Sequence, residues 1–475
     1  MKFPLPADTL PTLKLSADDQ GKLANAAENL VSATVLQYHE HLTLHQSMVD
    51  ERRWKKIKQR EDVRVYRERK ASMDSKSSTL MAKEGDFINL APVFTFGKIQ
   101  GNLEDIIAAL MKFPLPANTL PTLKLSVEDQ QTLANVAENL VSTTVQQYHE
   151  HLTVHRSVVD ERRWKKIKQR EDVRVVEEMQ LKTAYVSDGF VDWAVLASII
   201  KPSEQDPFRE LSIKWTVKGH PLLVGMIVRP RDTLYIESIG IAMTPSGERI
   251  GYHVQHSVDI PECPELLYLQ IVRAKISVCH LFRQLKDNCV EVFIRGFLSP
   301  MGDAPASLAA SASAEVSVSV LKNLHCSEMK KLTRILAARH RTNSTLSLDS
   351  ISKSSSSGSR VSAALVATGF VRTSSSGRSC ALCHDSLGGL LSLTSSKEKN
   401  CRVCSARVCS RCRVSKTMHL ATDRRKLLSN TSMGFCTRCL LDASCASSAT
   451  FAVLDALAAQ GAVVDYTKTL VKHNL

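Results

Sequence analysis

Val228-Arg229-Pro230-Arg231-Asp232-Thr233-Leu234-Tyr235-Ile236-Glu237-Ser238-Ile239 leaves a proline turn and then alternates its side chains at the period of two that marks a strand with one face in a core. Upstream, Leu211-Ser212-Ile213-Lys214-Trp215-Thr216-Val217 alternates in the same way. Downstream, Pro245-Ser246-Gly247 turns the chain into a further strand at 249–258, and Lys286-Asp287-Asn288 joins a hairpin from 276–285 to 290–297. Residues 206–300 therefore read as antiparallel sheet. A run without Gly or Pro follows, in which Val318, Leu321, Leu324, Met329, Leu332 and Leu336 recur near helical spacing. One long helix is expected over 306–340.

Toward the N-terminus, Leu23, Ala27, Leu30, Val31, Val35, Tyr38 and Leu42 share one helical face behind a capping box at Ser16 and Asp19. A basic segment, 50–60, comes next; a basic run of this kind usually marks a solvated helix face. Val63-Arg64-Val65-Tyr66 and Val93-Phe94-Thr95-Phe96-Gly97 read as strands, and 103–110 as a short helix. Residues 1–65 recur at 111–175 with 54 of 65 positions identical. Copies this alike read as a recent duplication or as a fused gene. The strand and helix of 91–110 occur once only. Residues 1–110 and 177–340 thus read as two parts of one domain, with the duplicate 111–176 inserted between them.

At about 150 residues per domain, the 475 residues make about three domains. With 43% apolar and 23% charged residues, the chain is neither wholly disordered nor a fibre. No stretch reaches the roughly 18 apolar residues of a membrane span. Met1–Pro6 offers no apolar signal core, so the expectation is a protein kept in a reducing compartment, with its thirteen cysteines as thiols or metal ligands. The net charge of +14 is concentrated in 51–65, its duplicate, and 397–426. These are surfaces for anionic partners rather than a general coat.

Helix, strands and a terminal helix make an α+β domain, a curved antiparallel sheet against a helix. Val228-Arg229-Pro230-Arg231-Asp232, followed by Ser257-Val258-Asp259-Ile260-Pro261-x-x-Pro264, resembles the START domain's strand-borne Arg-Asp and later Ser-Val-x-x-Pro-x-x-Pro. Trp54 and the strand after it stand where START domains begin. The resemblance covers roughly 20–340 without the duplicate. It implies a sheet and C-terminal helix wrapped around an apolar cavity for one lipid or sterol; the alternative is a filled core.

Residues 343–379 hold fourteen serines, too little apolar surface to order themselves, so 341–379 reads as a tether. Beyond it lies the strongest signal in the chain. Cys380-x2-Cys383, Cys401-x2-Cys404, Cys409-x2-Cys412 and Cys436-x2-Cys439 are four knuckles, each able to bring two thiolates to one tetrahedral ion at about 2.3 Å. Eight thiols close two Zn²⁺ sites with no open position, so the metal would fold the segment rather than catalyse. His384 and His419 are not needed. Cys263, Cys279, Cys289, Cys326 and Cys445 lack such spacing.

The gaps of 17, 4 and 23 residues, and the block Cys401-Arg402-Val403-Cys404-Ser405-Ala406-Arg407-Val408-Cys409-Ser410-Arg411-Cys412, resemble a FYVE-type zinc finger over 380–440. The resemblance implies interleaved pairs: Cys380, Cys383, Cys409 and Cys412 on one zinc, Cys401, Cys404, Cys436 and Cys439 on the other. It also implies docking on phosphatidylinositol 3-phosphate, with Lys397, Lys399 and Arg402 at the headgroup and Leu390, Leu391 and Leu393 dipping into the membrane interface. The family's W-x-x-D positions are Val371 and Ser374 here, both histidines before the third cysteine are replaced, and Gly434 stands where an arginine is expected. Residues 441–475 read as a tail.

No Gly-rich phosphate loop, G-x-S-x-G or H-E-x-x-H is present, so no enzyme is expected. A RING-like ubiquitin ligase component would need a C-x-H step and a histidine ligand. Nucleic-acid binding through 52–60 would want an RNP, helix-turn-helix or C2H2 pattern. The sequence thus points to a non-enzymatic lipid- and zinc-binding protein, cytoplasmic and peripheral on endosomal membrane. A zinc-stabilised protein-interaction scaffold or a RING-like ubiquitin ligase component is the alternative.

Overall fold

The computed structural model describes residues 9–69, 92–111, 190–218, 229–336 (apart from 245, 287 and 303–305), 379–387, 400–421, 428–460, 462 and 464. Residues 112–176 of the duplicate, the tether 341–378, and Leu390, Leu391, Leu393, Lys397 and Lys399 lie outside the described residues.

Ten strands form one sheet: β1 (Trp54–Arg60), β2 (Val63–Glu68), β3 (Val93–Gln100), β4 (Phe190–Ile200), β5 (Glu210–Lys218), β6 (Arg231–Met243), β7 (Arg249–Ser257), β8 (Val272–Arg273), β9 (Lys275–Gln284) and β10 (Cys289–Ser299). Their order is β1-β2-β3-β10-β9-β7-β6-β5-β4, antiparallel along this path, with β8 pairing parallel to β6. The strands before 112 and after 189 therefore belong to one sheet, sealed where β3 pairs β10. The basic segment is the edge strand β1, not a helix. Its side chains are largely exposed on both faces and only Trp54 is buried, so no alternation shows in the sequence. β4 was not evident either: it is almost continuously apolar, and three register shifts break its period.

Helix α1 (Ala17–Thr43) starts at Ser16, whose Oγ accepts the Asp19 N–H at 3.1 Å. It buries Ala27, Val31, Thr34, Tyr38 and His41 on one face of the sheet, against Phe94, Val254, Cys279, Leu281 and Phe293. Further along that outer face, Ala27 joins an apolar cluster with Leu211, Ile213, Trp215 and Val217. The opposite, inner face receives α2 (Leu103–Leu110), whose Ile106 and Ile107 pack on Phe282, Val292 and Ile294. Gly251 has no side chain there because a Cβ would sit 2.6 Å from Leu103 Cδ1.

The helix expected over 306–340 is interrupted. α3 (Ala306–Val318) crosses the inner face over β2, β10 and β1, a 3₁₀ turn spans Ser319–Lys322, and α4 resumes over 323–336. The break falls in Val316-Ser317-Val318-Ser319-Val320, all weak helix formers, where Ser317 and Ser319 hydroxyls donate back to the carbonyls of Ser313 and Val316. Among the described residues, no single helix is long and apolar enough to cross a membrane.

His41 generates a test of this packing. Its ring lies 4.7 Å from Phe96 and 5.2 Å from Phe94, with Nε2 buried and unpartnered. Burial, aided by His45 and Arg295, pulls its pKa down to about 4. The folded value is below the unfolded one, so the unfolded chain binds more protons, and stability is lost as pH falls from about 6.5 towards 4. His41→Leu is expected to remove about 2–3 kcal/mol of the stability difference between pH 7 and pH 4.5, read from urea midpoints of wild type and variant at both pH values.

Candidate functional site

Two constellations stand out, one built from cysteines and one on the inner face of the sheet. The first begins with two knuckles of the same shape. In each, the residue after the second cysteine turns left-handed (His384 at φ 62°, Ser405 at φ 59°). Its N–H then donates back to the first cysteine's carbonyl at 2.9 Å, His384 to Cys380 and Ser405 to Cys401. That turn aims both thiols of a knuckle the same way. The other two pairs flank a hairpin, β11 (Arg413–Ala421) and β12 (Leu428–Cys436), and Cys436 caps α5 (Thr437–Cys445), its Sγ accepting the Cys439 N–H at 3.4 Å.

The fold gathers the eight thiols into two groups, Cys380, Cys383, Cys409 and Cys412, and Cys401, Cys404, Cys436 and Cys439, with all sulfurs of a group within 4.8 Å of one another. Cys383 and Cys409 sulfurs are 3.6 Å apart, Cys404 and Cys436 3.8 Å. A Zn–S bond of 2.3 Å in tetrahedral geometry sets that edge at about 3.8 Å, so the donor set fits a tetrahedral ion. Hydrogen bonds from Cys404, Cys436 and Cys439 hold the Cys401 thiol far below its usual range, and the bonds to Cys401 hold Cys436 and Cys439 far above theirs. A dication makes all four thiolates at the cost of releasing protons. The first group is the more exposed, with Cys383 at the surface; in the second, Cys401, Cys436 and Cys439 are buried. Arg402 is exposed and its N–H donates to Gly434 O at 2.9 Å, binding the second knuckle to β12.

The second constellation was not singled out by the sequence. On β5 the even positions face inward, and cross-strand register puts Ser212 opposite Glu237, Lys214 opposite Tyr235, and Ile239 opposite both Glu210 and His253. Lys214 Nζ is bonded to Glu237 and lies 3.7 Å from Glu210. Glu237 Oε1 meets His253 Nε2 at 2.8 Å, and the His253 and His280 rings stack at 5.1 Å. All of these side chains are buried. Burial opposes the charge on Lys214, but Glu237 and Glu210 more than restore it and raise its pKa. Burial and Glu237 push the Tyr235 phenol up, while Lys218, inward-facing at the end of β5, is pulled down to about 8 by burial alone. Trp193, opposite Thr216, and Thr95, opposite Ile294, add two buried polar atoms without a partner to the same face, Trp193 Nε1 and Thr95 Oγ1. The signal was there as same-parity charges on neighbouring strands, Lys214 between Ile213 and Trp215 and Glu237 between Ile236 and Ser238.

The motif residues that were singled out do a different job. Asp232 accepts from Trp215 Nε1 at 2.7 Å and Arg273 Nε at 3.0 Å, and Arg231 Nε donates to Pro300 O at 3.2 Å. Ser257 Oγ accepts the Ile276 N–H at 2.8 Å. These bonds staple the loops at one end of the sheet.

No family model matches the chain, and no curated protein matches it in sequence. Among solved structures, human StAR-related lipid transfer protein 5 is 12% identical, covering 65% of this chain and 97% of that one at a TM-score of 0.33. The human StarD13 (DLC2) lipid transfer and protein localization domain is 12% identical over 66% of this chain and 98% of that one, at 0.29. A STAR-related lipid transfer protein fragment from Xanthomonas axonopodis is 13% identical over 58% and 98%, also at 0.29.

The left-handed turn at Ser405 gives a check on the second knuckle. A β-branched side chain is strained at φ 59°, whereas glycine is not. Ser405→Val is expected to cost about 1–2 kcal/mol and to weaken metal retention in competition with a chromogenic chelator, while Ser405→Gly leaves retention at or above wild type.

Proposed function

We propose that the chain is a non-enzymatic lipid-binding protein in which a START-like sheet domain holds an amphiphile against its inner face and a FYVE-like two-zinc finger docks on phosphoinositide-containing endosomal membrane. The observation that carries the first half is the division of labour between the faces of one sheet. The outer face is filled by α1 and packs mainly apolar side chains, its buried acids Asp232 and Glu291 being bonded to Trp215 with Arg273 and to Tyr38. The inner face carries a buried polar stripe, Glu210, Lys214, Tyr235, Glu237 and His253, beside the apolar surface under α2 and α3. A core that served packing alone would gain nothing from five polar side chains there, since each must be desolvated. An amphiphile uses both kinds of wall, its tail on the apolar surface and its polar end on the stripe.

The grouping of the eight cysteines supports the finger reading, because it is the interleaved pairing that the FYVE resemblance implies. Lys397, Lys399 and Arg402 would then face the headgroup, each adding about 1 kcal/mol at an anionic surface, with Leu390, Leu391 and Leu393 in the interface.

Organic extraction of the purified full chain, followed by mass spectrometry, is expected to return an amphiphile near one per chain, and a chain that neither carries one nor takes up a fluorescent lipid from phosphatidylcholine vesicles overturns the cavity reading. Co-sedimentation with vesicles differing only in phosphatidylinositol 3-phosphate tests the docking half. Selective pelleting is expected, weakened at least several-fold by Lys397→Glu, Lys399→Glu and Arg402→Glu together; equal pelleting on both vesicles removes the phosphoinositide from the account.

A further inference from the structure

The finger does not hang free of the sheet domain. After α5 the chain bends by 78° into α6 (Ser448–Ala459), and this elbow is bolted to α2 and α4. Lys331 Nζ, on α4 and 3% exposed, donates to Asp105 Oδ1 of α2 and to Ala446 O at the end of α5, each at 2.7 Å. Ser448 Oγ donates to the same Asp105 carboxylate. Arg334, also on α4, makes a two-bond pair with Asp455 of α6, and Lys416 of β11 reaches Glu328 at 3.1 Å. Around these bonds Met329, Leu332 and Ile335 of α4 share one apolar cluster with Val403, Phe435 and Phe451 of the finger.

We propose that the metal sites and the sheet domain form one cooperative unit, in which the Cys401, Cys404, Cys436 and Cys439 cluster holds α5 in place and so keeps α4 latched to α2. The inference rests on the reading of that cluster as a metal site. Cys436 caps the N-terminus of α5 and Cys439 lies in its first turn, while Ala446, whose carbonyl receives Lys331, caps the other end of the same nine-residue helix. Loss of the metal frees the N-terminal end, the elbow moves, and Lys331 is left as a buried ammonium short of an acceptor. The chain avoids that by releasing α4, which continues from the helix lying over the inner face. Metal occupancy thus controls how firmly the sheet domain is closed.

The molecule contains its own reporter. Its four tryptophans, Trp54, Trp164, Trp193 and Trp215, all precede α3, and none lies in 379–460. Trp54, Trp193 and Trp215 lie in β1, β4 and β5, so with Trp164→Phe as the background tryptophan emission melts with the sheet domain and not with the finger. The full zinc-loaded chain is titrated with chelator while a zinc dye counts released metal. Release is expected to lower the tryptophan-detected midpoint by roughly 5 °C or more, to raise amide exchange about tenfold at 103–111 and 323–336, and to be reversed by added zinc. Complete release with an unchanged midpoint overturns the proposal while leaving the metal reading intact; a chain that carries no zinc overturns both. In Asp105→Asn with Asp455→Asn, the chelator-induced shift is expected to fall below half of the wild-type value. An undiminished shift shows that coupling bypasses the latch and overturns it too.

Discussion

Three buried cations on one face of α4 set the terms for this molecule. Lys330, Lys331 and Arg334 are each at most 6% exposed, and a buried charge persists only where every donor finds an acceptor. Lys330 finds the carbonyls of Ala108, Ala109 and Met111 at the C-terminal end of α2, the negative end of that helix. Lys331 and Arg334 find theirs on α2, α5 and α6. No one of these elements can satisfy α4 alone. Eight residues of α2 are thereby committed on two sides, to the sheet through Ile106 and Ile107 and to the latch through Asp105 and its terminal carbonyls.

The sheet meets a second constraint of the same kind. Because side chains alternate across a strand, β5 must send Leu211, Ile213, Trp215 and Val217 one way and Glu210, Ser212, Lys214 and Thr216 the other. α1 and the loop through Leu266 close the first set. The second set could have been apolar at no topological cost, as the Phe282 to Val292 part of the same face is. Its carboxylates and its buried Lys214 are confined to β5 and β6, with His253 of β7 beside them, so the charge belongs to one part of the face and is not a property of the fold.

What the sequence made legible follows from which elements separate apolar from polar residues between their two sides. α1 does so at helical period, and β5 and β6 do so by alternation although both of their faces are buried. β1 is an edge strand exposed on both faces, and β4 is apolar but for Asp192 and Ser198 and is broken by three register shifts, so neither carries a period. The cysteine grouping was legible because two-residue knuckles are local. The polar stripe was not, because its members come from three strands and meet only through register. The segment after Cys439, which lacks any spacing signal, completes α5 and forms α6, and its role lies in contacts with residues more than 100 positions away.

The repeat bears on the same point. The edge of the sheet takes β1 and β2 from residues 54–68, and β3 and α2 follow from the same copy. That copy alone is continuous with the strand that pairs β10 and with the helix that receives Lys330 and Lys331. β2 pairs β3 from Arg64↔Phe96 to Arg67↔Val93, and the side of β3 away from it is already taken by β10. Beside β3 there is thus one position for this hairpin, and residues 54–68 fill it. Near-identity of the copies over 1–65 and 111–175 therefore does not make them equivalent, since what distinguishes them is the chain that follows: the first leads into β3 and α2, and through α2 into the latch that holds the finger.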